Sequence, residues 1–175
     1  MSIQSLGDLF QHELREAHAA ERYAHDAIPR LAAAAGAAPS AVDAYLVQAR
    51  KRLKSLEDAP VIAVLLRDSG TPRSMEGAVL EAERLIGAVA EPGTRIAALS
   101  GAMERMKQDL LTRYATLASW AMTLGKATEA KVLLTAIDEE LHAAVVQARP
   151  GAGPNKGERG GGMGDRLTAL LEPKT

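Results

Sequence analysis

The stretch HAAERYAHDAI, His18 to Ile28, carries a glutamate where helical periodicity demands an apolar side chain. Taken at intervals of three and four, Phe10, Leu14, Ala17, Glu21, Ala24, Ile28, Leu31 and Ala35 form one stripe interrupted by the charge of Glu21. A carboxylate on the buried face of a helix is costly unless it is compensated. The stripe therefore predicts a long amphipathic helix together with a partner for Glu21 inside the bundle: a metal ion, a histidine or a basic side chain.

Punctuation after this stripe places four further helices. The first helix runs from about Leu6 to Ala35 and stops at GAAPS. Ser40 is the expected N-cap of the second, whose buried face is read as Val42, Leu46, Ala49, Leu53 and Leu56, with Pro60 kinking or dividing it. After DSGTPRS a shorter helix spans about Met75 to Val89. EPGT opens a fourth with the stripe Ile96, Leu99, Met103, Met106, Leu110, Tyr114, Leu117, Ala121 and Leu124, and Gly125 is its expected C-cap. The last, about Ala127 to Ala148, carries Ala130, Leu133, Ile137, Leu141, Ala144 and Ala148. The fold class predicted is all-α: a four-helix bundle with a short extra helix between the second and third long helices, and a flexible C-terminal tail.

Composition agrees with that architecture and narrows the function. Aromatic residues make up 3% of the 175, so the core must be built from aliphatic side chains and alanine, which lets helices approach closely. Lys plus Arg number 21 against 22 for Asp plus Glu, a balance that argues against nucleic acid or an anionic membrane as partner. Cysteine is absent, which removes disulfides, thiolate metal sites and cysteine nucleophiles together. The N-terminal segment shows no basic-then-apolar pattern and no run reaches membrane-spanning length, so a soluble, cytoplasmic protein is expected. No Gly-rich phosphate loop or nucleophile elbow is placed between a strand and a helix. The four cations of QARKRLKSLED lack interleaved aromatics and read as a solvated face plus ion pairs.

The domain boundaries expected are 1–149 for the bundle, 150–164 for a Gly/Pro-rich flexible linker, and 165–175 for a short helical peptide capped by Asp165.

Four stretches, LFQHELREAHAAERY, SMEGAVLEAERLI, RYATLASWAMTLG and AKVLLTAIDEELH, occur in the order in which the ferritin-like proteins of the YciE/YciF type carry theirs, and the chain resembles that family from about Leu9 to Gln147. The resemblance implies a ferritin-like bundle with a carboxylate-bridged dimetal site, in which Glu21 would be a metal ligand. It implies as partners a Glu-x-x-His in the second helix, a glutamate in the fourth, and a glutamate beside a second acidic or histidine residue in the fifth. On this sequence the second-helix pair falls on Val47 and Arg50, and the fourth-helix glutamate on Lys107; Glu21, Glu139 and Glu140 remain. Cations at ligand positions repel the ions that they would need to admit. The expected outcome is a degenerate metal site and no cofactor, its place taken by a polar cluster of Glu21, Arg50, Lys107, Glu139 and Glu140.

The competing constellation is a rearranged iron or manganese site. His18, Glu21 and His25 share one side of the first helix, and Glu139 and His142 form a Glu-x-x-His in the last. Histidines at stripe margins need no ligand role, however, and His12 is read as surface. The tail admits two readings: a disordered end, or a docking peptide in which Leu167, Leu170 and Leu171 present one apolar face to a protein partner. The second arrangement is similar to the C-terminal targeting peptides of encapsulin cargo. The function expected is thus a non-catalytic, self-associating binding or structural protein, stress-related roles included. An iron-handling oxidoreductase and an encapsulin cargo are the alternatives.

Overall fold

The computed structural model describes residues 2–67, 70 and 72–148, with side chains through Asp138. Its elements are α1 (Leu6–Ala35), α2 (Asp43–Glu57), α3 (Pro60–Ala63), α4 (Arg73–Ala88), α5 (Pro92–Thr123) and α6 (Ala127–Ala148), with 3-10 turns at Pro39–Ala41 and Leu65–Arg67. The chain divides into a unit from Met1 to Leu141, which holds the bundle, and a second from His142 to Thr175. The expected linker at 150–164 and peptide at 165–175, with Leu167, Leu170 and Leu171, lie outside the described residues.

Local chemistry fixes the ends of α1. The Ser5 hydroxyl accepts from the Asp8 amide at 3.1 Å, and the Asp8 carboxylate accepts from the Ser5 hydroxyl and the Gln4 amide, which holds its carboxyl below the usual range. At the other end Gly36 takes φ 72°, and the Ala37 amide reaches back to the Ala32 carbonyl at 2.9 Å. Pro29 lies inside the helix and withholds one backbone donor without ending it.

The second helix departs from expectation at both ends and on its buried face. Ser40 belongs to the 3-10 turn, and α2 is preceded by Val42 with no side-chain cap. Its buried residues are Ala49, Arg52 and Leu56, whereas Leu53 is only half-buried. The stripe is therefore Val42, Tyr45, Ala49, Arg52, Leu56, with a charge in it. Pro60 divides the segment by opening α3.

Around α1 the other elements are laid by their own periodicity. It packs against α2, α4 and α5, and its small buried residues, Ala17, Ala20 and Ala24, permit close approach. α4 buries Met75, Val79, Ala82 and Ile86 and packs on α1 and α5. α5 starts at Pro92 behind the Glu91 carboxylate, which accepts from the Gly93 and Thr94 amides, and is followed by Gly125 at φ 70°. Ala130 and Leu133 bring α6 into the same core. Among the described residues, no helix is long and apolar enough to cross a membrane.

Candidate functional site

Glu21 lies midway along α1 and is completely enclosed, with 0% exposure. Arg52, at 2% exposure on α2, meets it: Nε donates to Oε1 at 2.8 Å and a terminal guanidinium nitrogen reaches the same oxygen at 2.6 Å. The remaining oxygen, Oε2, accepts a hydrogen bond from the buried Tyr114 hydroxyl of α5. One carboxylate thus ties three helices together, and each of its oxygens has a donor. Burial, and then the negative charge of Glu21, push the Tyr114 phenol well above its ordinary value, so it stays a hydrogen-bond donor.

One residue expected at this cluster, Arg50, is placed elsewhere. Arg50 is exposed, because two residues along a helix turn the side chain by about 200°, and the arginine that faces the core is Arg52. Val47 is likewise 52% exposed; the inward pair spaced by three on α2 is Ala49 and Arg52. Lys107 donates to Glu104 on its own helix at 2.7 Å, which holds the Glu104 carboxyl below its usual range. Glu139, Glu140 and His142 fall on α6, where side chains lie outside the described residues.

The histidines of α1 are engaged separately. His18 Nε2 lies 2.9 Å from Glu57 Oε1, a second tie between α1 and α2, and His25 Nδ1 lies 3.0 Å from Asp26 Oδ1. His12 is half-exposed beside Glu13. Although His18, Glu21 and His25 share one side of the helix, each turns to a different partner. Among the described residues, no three His, Asp or Glu side chains converge on one point.

A dimetal centre does not fit the described residues of this site. The carboxylate that would bind it already accepts from a guanidinium and a phenol, and the buried positive charge of Arg52 would repel an ion brought to the same carboxylate.

Two residues of the cluster, Arg52 and Tyr114, were not legible as partners of Glu21, yet each left a signal. Arg52 interrupts the α2 stripe just as Glu21 interrupts that of α1, and a charge in each of two neighbouring apolar stripes points to a pair. Tyr114 sits in the α5 stripe, and a buried tyrosine hydroxyl needs a partner.

These elements and this core define a ferritin-like helical bundle whose central carboxylate is neutralised by protein side chains. The chain belongs to the DUF892 family, described as a domain of unknown function, whose model matches residues 5–146. Among solved structures it is similar to the stress protein YciF of E. coli, with 25% identity over 82% of this chain and 92% of that one and a TM-score of 0.71. It is similar as well to YcfI of Rhodopseudomonas palustris, provisionally described as a structural protein, with 25% identity over 85% and 97% of the two chains and a TM-score of 0.72. No curated protein sequence matches the chain.

Proposed function

We propose that this protein is a non-catalytic member of the ferritin-like bundles with a structural or binding role, in which the Glu21–Arg52–Tyr114 cluster occupies the place of a metal pair. The observation that carries this reading is the buried Arg52 guanidinium on Glu21. A guanidinium remains charged at any pH a protein survives, so it neutralises the carboxylate permanently, where a bound ion would do so only while bound. The similarity to a stress protein and to a protein described as structural supports a role of this kind. Self-association, with half-buried Trp120 near the end of α5 as one anchor, belongs to the same proposal, as does partner recognition by residues 165–175.

Metal analysis tests the central claim. The full chain, purified without chelators and then incubated with ferrous or manganous ion and desalted, is expected to retain neither in stoichiometric amount. Stoichiometric iron or manganese that disappears in Glu21→Ala would overturn the proposal in favour of a rearranged site.

A further inference from the structure

On the flank of the bundle, α1 and α2 leave an open cleft of about 420 Å³ between Arg22, His25 and Asp26 on one wall and Arg50, Lys54 and Glu57 on the other. Leu53 and Asp58 complete it. Mixed charge of this sort is ordinarily self-neutralising, but here the pairing is uneven. Asp26 lies against His25 at 3.0 Å, Glu57 against His18 at 2.9 Å, and Asp58 accepts from Lys54 at 2.6 Å. Every acid of the cleft is thus engaged. Arg22 and Arg50 make no hydrogen bond or ion pair among the described residues.

The two guanidinium groups come from different helices, so one cleft offers two forks of N–H donors with nothing in the described protein to accept from them. His25, also in the lining, turns Nδ1 to Asp26, while its Nε2 is buried without a hydrogen-bond partner and is not counted among the donors of the cleft. A concave space of this volume suits a small molecule. Planar guanidinium forks match the oxygens of phosphate bidentately, and two of them favour an anion carrying more than one charge.

We infer that the α1–α2 cleft binds a small, multiply charged phosphate-bearing anion between Arg22 and Arg50, with Lys54 at its rim. This site is separate from the buried cluster, whose arginine is sealed in the core. It gives the solvated cations of α2 a ligand, and it stands whether or not the bundle holds metal.

Calorimetric titration of the full chain with inorganic pyrophosphate, at ionic strength matched with chloride, tests the inference. Saturable binding is expected, weakened about tenfold in Arg22→Gln and in Arg50→Gln and abolished in the double variant. Both residues are exposed, so the thermal midpoints of the variants without ligand should equal that of the parent. Lys51→Gln, an exposed cation that does not line the cleft, should bind as the parent does. Citrate, of comparable charge but different geometry, should bind more weakly than pyrophosphate. Absence of saturable binding, equal binding by parent and double variant, equal weakening by Lys51→Gln, or citrate binding as tightly as pyrophosphate would each overturn it.

Discussion

At the scale of single residues, the Glu21–Arg52–Tyr114 cluster is a test of what a buried ion pair contributes. Arg52→Ala strands a carboxylate with 0% exposure, and a loss of about 3–5 kcal/mol is expected from denaturant unfolding. Replacing Glu21 and Arg52 together by apolar residues of similar volume should recover most of that loss, since no charge is then left uncompensated. If Arg52→Ala alone leaves the midpoint unchanged, the pair is not what holds α2 on α1. Tyr114 contributes to the alkaline limb of stability. Its phenol is pushed well above the ordinary value of 10.0 by burial and then by Glu21, so the unfolded chain gives up this proton first and stability must fall as pH rises past that value. In Tyr114→Phe the fall between about pH 9 and pH 11 should be shallower than in the parent; parallel slopes would contradict the assignment. The same residues show what the sequence could tell. Glu21 announces itself because it breaks a stripe of small and aliphatic residues. Arg52 breaks one as well, but Leu53 beside it offers an equally good apolar position, and choosing Leu53 turns the helix by about 100° and sends Arg52 to the flank. Tyr114 passes as a member of its apolar stripe because its ring is as apolar as that of phenylalanine and only the hydroxyl at its tip is polar.

At the scale of elements, two described points of the connection between α3 and α4, Leu65 and Gly70, meet α1. Arg15 Nε donates to the Leu65 carbonyl at 2.8 Å, and Gly70 lies so close to α1 that an added Cβ would stand 2.7 Å from the Arg15 carbonyl atoms and 2.8 Å from the Glu16 amide. Helical backbone cannot yield as a flexible side chain would. Gly70→Ala should therefore cost about 1–3 kcal/mol by displacing the connection from α1, read as a lowered urea midpoint. A neutral Gly70→Ala would show that the connection shifts freely. Helix ends were legible where a residue with a defined conformational role marks them. Gly36 ends α1 in the left-handed region, Pro92 opens α5, and Gly125 follows it. Ser40 misled because a hydroxyl residue before an apolar run also suits a 3-10 turn, and Pro39 at its side favours that turn.

At the scale of the whole molecule, the bundle must hold an enclosed carboxylate without depending on its surroundings. A core completed by a metal gains stability by mass action, about 2.7 kcal/mol at a hundredfold excess over the dissociation constant, and loses it to chelators. A core completed by a covalently attached guanidinium has no such linkage, because the compensating charge arrives with folding itself. The alternation of stripes was enough to predict the bundle, since burying amphipathic faces is a property of many residues at once and tolerates single errors of register. Which cation meets Glu21 is a property of one rotamer on one helix, and it tolerates none. The molecular consequence is measurable. Added iron, manganese or a strong chelator should leave the thermal midpoint of the full chain unmoved. In Arg52→Ala, where Glu21 is left without its guanidinium, the midpoint should be lower under all three conditions. A parent midpoint that falls with chelator and returns with metal would mean that an ion, rather than Arg52, completes the core.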